Sequence, residues 1–136
     1  MIVRLKHSDF ETIVTHARGN LPNEACGLIA GIADNYIKTV EKVYSLSNPD
    51  NSPEHFSIDP KEQLAAVKDM RLHGFIPLGN FHSHPSTPAR PSEEDIRLSY
   101  DPKASYLILS LAEETPVLKA FGVTGGRVTP QTLEIA

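Results

Sequence analysis

Two histidines one residue apart, followed by a carboxylate, are the side chains in this sequence best suited to hold a metal ion. They are His82, His84 and Asp95, in the stretch from Gly79 to Leu98 that reads GNFHSHPSTPARPSEEDIRL. Side chains alternate along a β-strand, so His82 and His84 share one face. Asp95, returning on the next element, could complete a three-ligand site. Catalytic zinc is held by three protein ligands and an open position, whereas structural zinc is closed by four. A plainer reading stands beside this one. Ser92-Glu93-Glu94-Asp95 has an N-cap serine and an acid at N3, so Asp95 could equally serve as a cap at the positive end of a helix. Capping and ligation compete for the same oxygens, and one role is expected to dominate. The histidines, likewise, could simply face solvent at a strand end.

Other candidates carry less. His7, His16, His55 and His73 have no carboxylate at ligand spacing and read as surface or interface residues. Cys26 could be a nucleophile or soft ligand, but nothing around it would lower its pKa, so a buried structural thiol is expected. Glu24, taken alone, is a charged residue at a strand start.

The elements that must position these groups are readable in outline. Ile2 to Leu5 reads as a strand. Ser8 with Glu11 forms a capping-box signature ahead of Phe10, Ile13, Val14 and Ala17 at helical spacing, with a stop near Gly19-Asn20. Glu24 to Ile32 and Tyr36 to Leu46 read as paired strands across Asp34-Asn35. Asn48 to Glu54 (NPDNSPE) is a loop, and His55 to Ile58 a short strand. Asp59-Pro60 with Glu62 opens a helix to about His73, with Leu64, Val67 and Met70 as its inner stripe. Ile76 to His84 is a strand ending on the histidines. Pro85 to Pro91 is irregular, with three prolines in seven residues. Ser92 opens a short helix to about Tyr100, and Ser105–Leu111, Val117–Val123 and Arg127–Ile135 are strands, the last two joined at Gly125-Gly126. The expected fold class is α/β of the α+β type: a mixed, largely antiparallel curved sheet flanked by about three helices.

Composition narrows the partners. At 136 residues the chain is long enough for one domain, spanning 1–136, with a real core. With 13 basic and 17 acidic residues the net charge is −4, which disfavours nucleic acid or an anionic membrane as partner. The start MIVRLKHSDFE is too polar for a signal peptide, and no apolar run reaches membrane-spanning length. A single cysteine excludes an internal disulfide and suits a reducing cytoplasm. Apolar strands with exposed edges leave a homodimer open.

Taken together, the segments resemble the JAMM, or MPN-plus, zinc metalloproteases (Mov34/PAD-1-like), in their small stand-alone prokaryotic form. Glu24 in PNEACGLIAG is followed by His82, His84 and Pro85, then six residues, Ser92, two residues and Asp95. The resemblance covers essentially the whole chain. It implies a JAMM/MPN-like, cytidine-deaminase-like fold, and one zinc ion per chain on His82, His84 and Asp95. It implies Glu24 as the general base acting on water and Ser92 as a stabiliser of the tetrahedral oxyanion, and it moves the reading of Asp95 from cap to ligand. Ser92 then need not cap the helix with its side chain. One departure is local: Asn80-Phe81 supplies only one aromatic before the first ligand, which reads as packing variation.

The implied activity is zinc-dependent hydrolysis of an amide or isopeptide bond at the C-terminal tail of a ubiquitin-like or sulfur-carrier protein, in the cytoplasm. The tail is expected to lie extended beside a strand, with Asn48 to Ile58 forming one wall. Alternatives are a zinc peptidase for small peptides or cell-wall fragments, and a non-catalytic module binding ubiquitin-like tails.

Overall fold

A computed structural model describes residues 1–136 as seven strands and three helices. In chain order these are β1 (Ile2–Leu5), α1 (His7–Asn20), β2 (Cys26–Ala33), β3 (Ile37–Leu46), α2 (Pro60–Leu72), β4 (Ile76–His84), α3 (Glu93–Arg97), β5 (Ser105–Ser110), β6 (Val117–Thr124) and β7 (Arg127–Ile135). The strands lie in the order β1-β3-β2-β4-β5-β6-β7 and the sheet closes on itself. Closure is made by β1, which runs parallel to both β3 (Ile2 opposite Ile37) and β7 (Ile2 opposite Thr132). The strand edges expected to be open to a second copy are therefore paired within the barrel.

The two faces of the sheet are covered differently. On one, Ile13, Val14 and Ala17 of α1 join Val3, Leu5, Ile29, Phe81, Leu107 and Leu109 in the main core. On the other, Ala66 and Met70 of α2 pack with Cys26, Leu28 and Ala30. Each fully buried aliphatic side chain contributes about 1.5–3 kcal/mol. Gly27 lets Phe81 take its place: a Cβ there would collide with the Phe81 ring and with Tyr44 O. At the bottom of the barrel the buried Lys38 donates from Nζ to Leu78 O, Lys103 O and Ser105 Oγ, tying β4 to the start of β5.

Three local expectations are corrected. Helix α1 begins two residues earlier in the chain than Ser8 suggests: Lys6 is its N-cap, without a side-chain cap, and His7 N donates to Ala136 O at 2.7 Å, so the C-terminal end of the chain fixes the helix start. On α2, Leu64 is 56% exposed while Ala66 and Met70 are buried, because the small residues of β2 admit the helix closely along its alanine side. His55 to Ile58 forms no strand, its backbone being held instead by Asn48, which accepts from Ser57 N at 3.3 Å and donates to His55 O at 3.0 Å.

Candidate metal centre

β4 is the strand that builds the site. It pairs with β2 on one side (Cys26 opposite His82) and runs parallel to β5 on the other (His82 opposite Ile108, His84 opposite Ser110). Alternation sends Phe81 and Ser83 to the α1 side, and His82 and His84 to the opposite face. Both histidines are buried, at 2% and 4% exposure. Ser83, between them, accepts from Ala25 N at 2.8 Å, and its own N–H donates to Ala25 O at 3.0 Å. That extends the β2–β4 ladder by a step and places Glu24 opposite His84.

Asp95 arrives from α3. Ser92 and Asp95 form a reciprocal capping box: Asp95 N donates to Ser92 Oγ at 3.0 Å and Ser92 N donates to Asp95 Oδ2 at 2.9 Å. The same Oδ2 lies 3.0 Å from His82 Nε2 and 3.1 Å from His84 Nε2, which are 3.1 Å from each other. The expected competition between cap and ligand is thus resolved differently, since one carboxylate oxygen has lone pairs for both directions. Ser92 does cap α3 with its side chain, and its hydroxyl proton stays available.

The triangle of donor atoms fits a cation. His84 Nδ1 donates to Pro88 O at 2.9 Å, which leaves the lone pair of the neutral ring on Nε2. Nε2 therefore points electrons at a carboxylate oxygen and at a second ring nitrogen. One proton can relieve only one of these contacts, whereas a metal ion relieves all three. Tetrahedral zinc with ligands at about 2.0–2.1 Å separates its ligand atoms by about 3.3 Å, close to the spacing here. The same face carries further signs of a site rather than a core. Glu24 is 3% exposed with Oε1 unpartnered, and His82 Nδ1 also lacks a partner.

Electrostatics follow the geometry. Burial pushes the Glu24 carboxyl up to about 8, opposed in part by His84. Burial alone would also raise Asp95, but hydrogen bonds from His82 and His84 hold it far below the usual carboxylate range. Burial lowers His82. It pulls His84 the same way, yet the hydrogen bonds to Asp95 and Pro88 O leave that imidazole raised on balance.

A cleft of about 530 Å³ opens beside the triad, with Phe56 and Ile58 on one wall, Leu98 and Tyr100 on the other, and His82, Asn80, Tyr106 and Ile108 along its floor. The wall expected from Asn48 to Ile58 is present in its last residues. Phe56 stacks on the His82 ring, centroids 4.6 Å apart at 24°. Two residues at this site are ones the sequence marks only as loop or packing. Asn48, 7% exposed, donates to Glu24 O at 3.0 Å and anchors the glutamate's backbone. Asn80 lies on the cleft floor, on the same strand face as the histidines. An asparagine able to make Asx turns was the only available signal for the first, and the period-two alternation for the second.

The remaining candidates stand apart. Cys26 is buried, its thiol is pushed up to about 12 by burial, and Sγ donates to Ser47 O and Ser57 O. It is a structural thiol. His16 holds the Cys26 and Leu46 carbonyls at 3.0 Å each, while His7, His55 and His73 are exposed. No helix is long and apolar enough to cross a membrane.

Comparison with known proteins agrees with this architecture. Residues 6–122 match the family described as prokaryotic homologs of the JAB domain. The chain is 31% identical over 124 residues to the CysO-cysteine peptidase of Mycobacterium tuberculosis, covering 90% of this chain and 84% of that protein. It is 32% identical over 105 residues to a desampylase of Haloferax volcanii, 74% of each chain. Among solved structures, protein DSY2949 of Desulfitobacterium hafniense superposes with a TM-score of 0.91 at 54% identity, covering 100% of this chain and 93% of that one. The chain belongs to the prokaryotic JAB-domain family.

Proposed function

We propose that this chain is a zinc-dependent peptidase, a single JAB domain over residues 1–136, that hydrolyses the amide bond at the C-terminal tail of a ubiquitin-like or sulfur-carrier protein. The observation that carries the reading is the convergence of His82 Nε2, His84 Nε2 and Asp95 Oδ2 at 3.0–3.1 Å beside the buried, unpartnered Glu24. The names of the relatives, a CysO-cysteine peptidase and a desampylase, support the substrate class.

His82, His84 and Asp95 would hold one zinc ion. When bound, zinc supplies Lewis acidity to water and to the scissile carbonyl. Glu24 takes the attacking water's proton and returns it to the leaving amine. With a dication held beside it, the Glu24 carboxyl would stay ionised against the burial that otherwise raises it. Ser92 accepts one N–H through a lone pair and so retains its O–H to donate to the developing oxyanion. The apolar walls at Phe56, Ile58 and Leu98 hold the tail and exclude water from the bond being cut.

The test is cleavage of a sulfur-carrier domain whose Gly-Gly terminus is fused to a reporter peptide. Wild-type protein should release the reporter and Glu24→Gln should not. Tight binding without turnover by the zinc-loaded wild type would mark a binding module instead.

A further inference from the structure

Closure of the barrel changes how a peptide can be held. β4 is hydrogen-bonded on both sides, to β2 and to β5, so an occupant of the cleft crosses a sheet face and finds no strand edge there to pair with. Its main-chain N–H and C=O groups, withdrawn from water against Ile108 and Tyr106, need side-chain partners from the floor.

Asn80 supplies such a partner. It sits two residues before His82 on the same face, about 6–7 Å along the strand, and Tyr106 lies opposite it on β5. Its Oδ1 is shielded from solvent and has no hydrogen-bond partner. A buried, unsatisfied amide oxygen costs about 1–3 kcal/mol, so an apolar residue would serve the fold better at this position. Asn80 also stands where the floor continues. It borders both the main cleft and a second depression of about 200 Å³ that runs past Leu28 and Pro77 to Lys103. From His82 back to Pro77 the floor spans about 16 Å, the length of roughly five extended residues.

We propose that Asn80 is a specificity-determining residue that hydrogen-bonds the main chain of the substrate tail about two residues from the scissile bond, and that the tail continues beyond it into the second depression. This rests on the peptidase reading above. An amide matches a peptide unit because it offers one donor and one acceptor group, and rotation about χ2 lets it present either. The site thereby selects tails with an unhindered, extended main chain at that position rather than a particular side chain.

The experiment compares two coumarin-amide probes, Gly-aminomethylcoumarin, which lacks the residue two from the scissile bond, and a pentapeptide ending in Gly-Gly-aminomethylcoumarin, on wild type, Asn80→Leu and Asn80→Ser, each checked for folding by circular dichroism. One lost hydrogen bond corresponds to about a three- to tenfold weaker interaction. Asn80→Leu should raise KM for the pentapeptide by that factor and by clearly more than for the short probe, with Asn80→Ser partly restoring it. Equal KM changes for both probes, or none, would overturn the assignment. Binding is read independently by fluorescence anisotropy of a labelled pentapeptide acid on zinc-loaded Glu24→Gln protein, with and without Asn80→Leu. Should wild type cleave neither probe, the peptidase reading fails while the anisotropy still decides on Asn80: unchanged affinity overturns its role, and a three- to tenfold loss upholds it.

Discussion

Ser92 and Asp95 share a carboxylate oxygen with the histidine pair: Asp95 Oδ2 accepts from Ser92 N at 2.9 Å while lying 3.0 Å from His82 Nε2. The start of α3 and the metal centre are therefore one structure, and a helix of five residues is held in place by the box that orients its ligand. Perturbing either partner should affect fold and chemistry by very different amounts.

Ser92→Ala removes the acceptor for Asp95 N and should lower stability by about 1 kcal/mol, the usual value of an N-cap. Turnover should fall by about 10²–10³, the loss expected for an oxyanion donor. Denaturant titration and kcat on the same sample check both. A rate loss no larger than the fraction of protein unfolded would reduce Ser92 to a cap.

Glu24 makes the stability of metal-free protein depend on pH in a defined direction. Its folded value of about 8 lies above the ordinary 4.5, so between these the folded state binds the extra proton. Stability contributed by the neutral carboxyl is full below about pH 4.5 and is lost as pH rises toward 8. His84, also raised, adds a loss above its ordinary 6.5, so the comparison must be with Glu24→Gln, in which His84 remains. Wild type should lose on the order of 3 kcal/mol more than Glu24→Gln between about pH 4.5 and about pH 8.5. Parallel stability curves from denaturation across that range would show that the carboxyl reaches water.

Phe56 both walls the cleft and stacks on His82. Phe56→Ala should raise KM for a tail substrate about three- to tenfold, the factor set by an aromatic contact of about 0.5–1.5 kcal/mol. Zinc content at saturating metal should stay at the wild-type level, because none of the three donor atoms is touched. Kinetics with metal analysis separate the two.

How much of this was legible in the sequence depended on the range of the interactions. β4 could be read because the period-two alternation, the histidines and Pro85 all lie within ten residues. The Asp59-Pro60 start of α2 was legible for the same local reason, and Asp59 does accept from Lys61 N at 2.8 Å. The start of α1 was not, because its first N–H is held by Ala136, at the far end of the chain. Barrel closure was hidden likewise, since β1 joins strands at residues 37 and 132 that no local pattern connects to it. At the site, the H-x-H spacing and the returning acid left a metal centre and a helix cap side by side, and the family resemblance moved Asp95 from cap to ligand. Glu24 had no local signature, because what marks it is burial opposite His84, and only the family resemblance singled it out.

The proposed hydrolysis depends on the three-ligand centre, which zinc per chain tests most directly. Protein purified without added metal should carry about one zinc ion, as a three-ligand catalytic site does, and His82→Ala should have lost most of it while remaining folded. A folded wild type that is metal-free and takes up no zinc on titration would contradict the assignment of His82, His84 and Asp95, and with it the hydrolytic chemistry.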